Sequence, residues 1–559
     1  MVKFPEKLLL VFLIIHGNVF SQEFFPENNK ILADSILSTR GEVYLAFPAS
    51  VRKSVFEITP FLVPDKQTDS LNYFYLNSDQ FRQIIGAGIE YQVFTAPSML
   101  APVRMAKNSD EILEGQAYPS YMQYLDLMKQ FRDNYPEICT IDTIGYSIGG
   151  RLILAARIQN GDYIEGDRPV VFYSSSMHGD ETVGYSLMLM LINEILEKSE
   201  SSEEISEIVN ELVLIINPLS NPDGAYFQSD TSLFGAKRYN LNNIDLNRDF
   251  PDVRLGITYT YAGLQKENLV MVKYMEKYPP ALSANLHTGA EVLNYPWDTW
   301  YSGERKHADN EWFINICKDY VDTARSIDPL YLRLYPEGYV FGSDWYWIPG
   351  GRQDFVTYNL RGREITMELS SIKFPEVSQI PDFWEKNRSS LIHYISNAKY
   401  GLFGLVTDSI SLKPMKVRVE IPVYDKDESH IFSHKTTGKF FRFLPGGTYK
   451  MQLSADGYHT QNLSVDISGK QRLDIHIRMK PVLREIIIKS IPGSGEIGIE
   501  LIDDSSEVFF ADLYDISGRK VQETIFLGSS GTMGGTGFHG IYILRVRSDF
   551  QTVSRLVFF

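Results

Sequence analysis

The sequence predicts an open α/β sheet with helices on its faces, preceded by a small α+β unit and followed by all-β domains. Between Tyr118 and Tyr400, short apolar runs alternate with helix-length amphipathic segments, the pattern of a sheet covered by helices. From Gly401 onward the chain reads as short strands separated by turn residues. At 559 residues it is too long for a single hydrophobic core, so several domains are expected.

The first segment sets basic Lys3 and Lys7 before the apolar run Leu8 to Ile15, with Val19-Phe20-Ser21 after it. Basic, apolar, small is the order of a secretory signal peptide, here residues 1–21, and the run is too short to span a bilayer. Residues 22–110 form the first unit. Gly41 to Phe47 and Tyr91 to Phe94 read as strands, Asn77 to Ile85 as a short helix, and the polar stretch Ala106 to Gly115 as a linker. In the next domain, 115–400, Tyr121, Tyr124, Leu125, Met128 and Phe131 recur at helical spacing until Tyr135-Pro136. Val170 to Tyr173, Leu212 to Ile216, Ala281 to Leu286 and Ile365 to Leu369 are the apolar runs, and Leu187 to Leu196 is the clearest helix between them. A β-sandwich is expected over 401–480 from strands such as Val417 to Ile421, Phe440 to Leu444 and Tyr449 to Leu453. A link around Lys480 to Ser494 leads to a last β-rich piece, 490–559.

A net charge of -16 disfavours nucleic acid and anionic membranes, and no later stretch is long and apolar enough to span a bilayer. Cys139 and Cys317 are the two cysteines, too few for a cysteine-type zinc site. Whether they pair is left open by the sequence. A metal in this chain therefore needs histidine and carboxylate ligands.

Ligands of open α/β sheets bind beyond the carboxyl ends of the strands. There the sequence places His178-Gly179-Asp180-Glu181, Asn217-Pro218, His287 and Glu368. His178-x-x-Glu181 by itself is weak, since 10 histidines and 70 acidic residues give about one such match by chance. Its position is what counts: a tight Gly-Asp turn between strand and helix can aim both side chains at one point. With His287 the set becomes His-Glu-His, and three protein ligands with an open fourth position describe a catalytic zinc site.

These segments resemble the zinc carboxypeptidases of the carboxypeptidase A superfamily, most closely the regulatory branch of carboxypeptidases N, E, D and M. The likeness runs in the family's order through His178 to Glu181, Asn221-Pro222-Asp223-Gly224, Asp245-Leu246-Asn247-Arg248, Ser283 to His287, Asn294 to Asp298, Trp345-Tyr346 with Gly350-Gly351-x-Gln353-Asp354, and Met367-Glu368-Leu369. It implies a mixed eight-stranded sheet with helices on both faces. It also implies one Zn2+ held by His178, Glu181 and His287, with Glu368 as the general base that takes a proton from water and returns it to the leaving amine. Arg238 matches the arginine that stabilises the oxyanion, and Tyr346 the tyrosine that closes over substrate. Asn247 and Arg248 match the pair that grips a terminal carboxylate, a task suited to the planar guanidinium fork. Asp298, eleven residues after His287, matches the aspartate that receives a basic side chain, so peptide or protein C-termini ending in Lys or Arg are the expected substrates. Two residues depart from the branch. Arg352 replaces a methionine and would neutralise Asp298 if it faced the pocket; Asp249 replaces an asparagine and adds negative charge beside Arg248.

The stretch 401–480 resembles the transthyretin-like sandwich of that branch, through Phe403 to Asp408 and Pro445 to Tyr449. Residues 490–559 resemble the C-terminal sorting domain of bacterial type IX secretion, through Leu513 to Arg519 and Gly540 to Val546. The expected location is therefore extracellular or on a bacterial surface, with the type IX machinery as a partner. Residues 22–108 read equally as a prosegment over the active site or as an accessory domain. Against a peptide carboxypeptidase stand two other readings: a silent surface-binding protein that keeps the fold, and a peptidase of peptidoglycan stem peptides whose diamino acid meets Asp298.

Overall fold

The computed structural model describes residues 26–559 except 60, 61, 63, 483–485, 492, 493, 502–507, 528, 529, 536 and 548–551. The expected signal peptide lies outside the described residues.

The central sheet has eight strands in the order Tyr339–Phe341, Ala290–Tyr295, Arg363–Ser370, Leu282–His287, Val170–Ser175, Val213–Asn217, Leu152–Ile158, Cys139–Tyr146. The four middle strands, Arg363–Ser370 through Val213–Asn217, run parallel, and antiparallel pairing enters on either side of them. The mixed eight-stranded α/β fold is as expected. Successive side chains of a strand face opposite sides, so Val171 and Tyr173 enter one core while Val170 and Phe172 enter the other. The first core takes the helices Tyr121–Asn134, Val183–Lys198, Asn310–Ile327 and Ile380–Ser396; the second takes Lys266–Lys277 and Arg352–Tyr358. Tyr121–Asn134 starts at a reciprocal cap between Ser120 and Gln123 and buries Tyr124, Met128 and Phe131, the stripe read from the sequence. Cys139 and Cys317 are both free and buried.

Ahead of this domain stands a four-stranded sheet ordered Lys66–Gln67, Leu71–Asn77, Glu42–Pro48, Gln92–Phe94, with helices Pro26–Arg40 and Ser78–Gly86. Its two faces have different partners. Val43, Leu45 and Phe47 join Phe74 and Phe81 in a core of their own, whereas Tyr44 and Tyr75 pack against Tyr239 of the central domain. Behind it are two double-sheet units. The first pairs a three- with a four-stranded sheet over Gly401–Met479, around Val406, Val419, Phe440 and Leu453. The second repeats that arrangement from Ile486 to Phe558, around Phe509, Leu513, Leu544 and Val546.

Two expected connectors are structured instead. Within Ala106 to Gly115, Asn108 caps a short helix, Ser109–Leu113, and its Ile112 enters the main core. The link from Lys480 to Ser494 contains the strand Ile486–Ile491, paired with Glu496–Leu501. Two adjacent apolar residues, Ile112 and Leu113, in a polar stretch carry too little periodicity to reveal a helix, and a strand that takes its partner after a short turn looks like a linker.

Candidate active site

His287 ends the strand Leu282–His287, and in the parallel register Glu368 of the next strand lies directly beside it. On its other side that strand pairs with Val170–Ser175, whose continuation turns at Ser176 into His178, Gly179, Asp180 and Glu181 before the helix Val183–Lys198. Ser176 adopts φ 52 at this turn, and its hydroxyl donates to the Glu181 carbonyl at 2.7 Å. Gly179 passes so close to the Asn221–Ala225 segment that an added Cβ would lie 2.2 Å from the Gly224 carbonyl carbon. That clearance explains the glycine. The turn is wedged against a second strand-end loop, which fixes where the flanking ligands point.

The ligand atoms of His178, Glu181 and His287 lie within 4.8 Å of one another, and all three residues are buried. Nδ1 of His178 meets one Glu181 oxygen at 2.8 Å, and Nδ1 of His287 meets the other at 2.7 Å. Each ring is held through its remaining nitrogen, His178 by Asp245 at 3.0 Å and His287 by the Asn285 amide at 2.8 Å. Metal-binding histidines are usually oriented in this way through the second nitrogen. Two imidazoles and a carboxylate converging at this spacing fit one divalent ion of the zinc type.

Around this centre, Arg238 lies between the ligands and Asp245. Its Nη1 is 3.2 Å from Glu181 and 3.1 Å from Nδ1 of His178, while Nε and Nη2 donate to Asp245. Burial works against this cation, but Asp245 and Glu181 hold its pKa above the ordinary arginine value, so the guanidinium stays charged. Glu368 keeps Oε2 buried without a partner. Burial raises its pKa to about 7, against the lowering effect of His287. Lys373, five residues on, sets its ammonium 2.7 Å from Glu181.

Arg248 donates through Nη1 to the Asn247 carbonyl at 2.7 Å and leaves Nε buried and unpaired. The Asn247 side chain accepts from the Arg352 backbone at 3.0 Å. Gly350, at φ 71, lets the following segment cross within 2.7 Å of the Arg248 carbonyl, measured to an added Cβ. Asp298 is buried, and Gln353 Nε2 donates to it at 2.9 Å. Burial first, and then the neighbouring Asp354 charge, push the Asp298 carboxyl well above the usual carboxylate range. Tyr346 is partly buried and tilts against Trp345 at 4.3 Å between ring centres. One cavity of about 380 Å³ brings together the triad, Glu368, Arg238, Tyr346, Asn247, Arg248 and Asp298. Every residue given a metal-binding, catalytic or substrate-binding role from the sequence lines it.

The two departures from the branch resolve structurally. The Arg352 guanidinium faces the sheet, pairing with Glu364 at 3.3 Å, hydrogen-bonding Ser174 and lying over Phe172. Asp298 is left without a cation from this residue. Asp249 accepts from Gln265 N at 2.7 Å and Asn268 Nδ2 at 3.0 Å, which ties down the start of Lys266–Lys277.

Sequence reasoning gave no role to Asp245, Gln353, Asn285 or Lys373. The first three lie inside motifs that had been singled out, so adjacency was the available signal; Lys373 carries no pattern. The preceding unit also reaches the site. Asp65 pairs with Lys373 at 3.2 Å and accepts from the Tyr44 hydroxyl at 2.8 Å. Glu42 accepts the backbone N–H of both Arg238 and Tyr239 at 3.2 Å, and Arg40 donates to the carbonyls of Gly235 and Ala236.

Residues 124–390 match the zinc carboxypeptidase family. Carboxypeptidase M of Mus musculus is 30% identical over 359 residues, covering 62% of this chain and 80% of that protein. Carboxypeptidase D of Homo sapiens is 30% identical over 420 residues, 73% of this chain, and the match spans 30% of its length. The crystal structure of thrombin activatable fibrinolysis inhibitor aligns over 64% of this chain and 99% of its own, at 16% identity and a TM-score of 0.47.

Proposed function

The chain belongs to the zinc carboxypeptidase family, and on that premise we propose that it is a secreted metallocarboxypeptidase that removes C-terminal lysine or arginine from peptides or proteins. The observation that carries this reading is one cavity lined by a three-ligand metal set, a carboxylate beside it with a buried, unpartnered oxygen, a guanidinium and a second carboxylate.

Each side chain then has one task. Arg248 meets the substrate's terminal carboxylate with its unpaired edge, and Asn247, anchored to the Arg352 backbone, completes the grip. An internal peptide bond offers no such anion, which restricts cleavage to chain ends. Asp298 receives the ammonium or guanidinium of the last residue and is kept in place by Gln353. Burial and the neighbouring Asp354 charge raise its carboxyl, and an incoming cation opposes that shift. Zn2+ held by His178, Glu181 and His287 would polarise the scissile carbonyl and activate water. Glu368 takes the proton of the attacking water and passes it to the leaving amine. Arg238, charged and fixed by Asp245, stabilises negative charge on the carbonyl oxygen. Tyr346 closes the cavity over the bound residue.

The secretory reading rests on residues 1–21, together with the likeness of 490–559 to a type IX sorting domain. Among the described residues no helix is long and apolar enough to cross a membrane, which is compatible with export. Residues 401–480, with their own core, are assigned the transthyretin-like role of bracing the catalytic domain.

The test is a panel of peptides differing only in the last residue, digested by wild type and by Asp298→Ala. Wild type should prefer Lys and Arg over Leu or Phe by at least tenfold in kcat/KM, since an unmatched buried charge is costly. The mutant should lose that ratio. Equal wild-type rates on basic and aliphatic ends would refute the assignment of Asp298, and purified muropeptides cleaved in preference to ordinary peptides would favour the cell-wall reading.

A further inference from the structure

The unit formed by residues 26–94 does more than stand beside the catalytic cavity. A groove of about 1270 Å³ runs between it and the central domain, and Pro64, Asp65, Ala290, Tyr346 and Lys373 line both groove and cavity. The shared residues are informative. Ala290 follows His287, and Lys373 follows Glu368, so the groove opens into the cavity at its metal end. Asn247, Arg248 and Asp298, which mark the carboxylate end, do not line the groove. A peptide whose last residue lies against Asp298 and whose scissile bond lies at the metal must send its upstream residues towards the groove.

The groove has the character of a peptide site. On one wall stand Tyr73 and Phe94, both partly exposed, with Leu100 beyond them at 69% exposure. The central domain contributes Leu334 and Ile372, 52% and 47% exposed. Large exposed apolar side chains gathered from two domains in one cleft are costly in water unless something covers them. The Asp65–Lys373 pair joins the walls where groove meets cavity.

We infer that the N-terminal unit is a permanent wall of the substrate site and binds the residues upstream of the scissile bond, favouring apolar and aromatic ones. The inference rests on the carboxypeptidase reading for the direction in which the substrate lies. Of the two roles left open for this unit, this is the accessory one. A cover that leaves would strip Glu42 from the backbone N–H groups of Arg238 and Tyr239, beside the metal ligands, and would expose the packed rings of Tyr44, Tyr75 and Tyr239 to water. The contacts instead make the unit part of the arginine's support.

Binding to the zinc-loaded Glu368→Gln full chain tests this, measured by calorimetry. The probes are an N-acetylated dipeptide ending in arginine and a hexapeptide that extends it upstream with leucine and phenylalanine. The hexapeptide should bind about tenfold more tightly, and Leu334→Ser or Tyr73→Ala should each cut that ratio to below about three. Leu334 is exposed, so its variant should fold normally. Equal affinity for the two peptides, or a ratio that neither substitution changes, would overturn the inference. So would a wild-type chain that turns over the dipeptide only after proteolytic removal of residues before 110. Because binding is read without turnover, a wild type that cleaves neither peptide refutes the carboxypeptidase reading, while the length dependence still decides the groove.

Discussion

At the scale of single residues, catalysis turns on Glu368. Burial, opposed by the charge of His287, brings its carboxyl to about 7, and a divalent ion beside it would lower that value. Activity needs the carboxylate, so kcat/KM should rise with pH along a limb whose midpoint lies below 7. Glu368→Gln should keep the metal yet lose about 10²- to 10⁴-fold in kcat/KM. Full activity in that variant would remove Glu368 from its role. This residue and the triad were legible in the sequence because each sits at a strand end inside a motif. The two substitutions that clouded the specificity were not legible. Whether Arg352 faces Asp298 or Glu364 depends on side-chain direction at the start of a helix, and Asp249's use as an anchor for Gln265 and Asn268 is a contact across a loop.

At the scale of elements, strands and helices were recovered where periodicity is strong. The four parallel strands appear as continuous apolar runs because both their faces are buried. Tyr121–Asn134 appears as a stripe because one face alone is buried. Elements too short for a period, such as Ser109–Leu113, were not legible. Nor was the pairing that sets Glu368 beside His287: register is a property of two strands, and their sequences lie eighty-one positions apart. The loop contacts that position the ligands are of the same kind. Gly179 can be read as a turn glycine, but its clearance from Gly224 belongs to another strand end.

At the scale of the molecule, the domains are joined through buried charge as well as apolar surface. Arg442 of the following sandwich pairs with Asp309 of the central domain and with Asp425, and Arg363 joins the same Asp309. Burial would raise the Asp309 carboxyl, but Arg442 and Arg363 outweigh it and hold it well below the usual carboxylate range. A carboxylate depressed in the folded state adds stability that is complete above its unfolded pKa and lost as pH falls towards the folded one. Arg442→Met leaves part of that charge uncompensated and should lower stability by about 3–5 kcal/mol at neutral pH, read from the urea midpoint. The difference should shrink below about pH 4; an unchanged midpoint at neutral pH would contradict this role. Contacts of this type, like those of Glu42 and Asp65 with the active site, link residues far apart in the chain and have no counterpart in local pattern. The metal centre is the point on which the rest of the account depends, and anomalous diffraction at the zinc edge from a zinc-soaked crystal tests it most directly. The account predicts one strong peak bounded by Nδ1 of His178, Nδ1 of His287 and the Glu181 carboxylate; a map with no peak there, or with zinc bound only elsewhere, would contradict it.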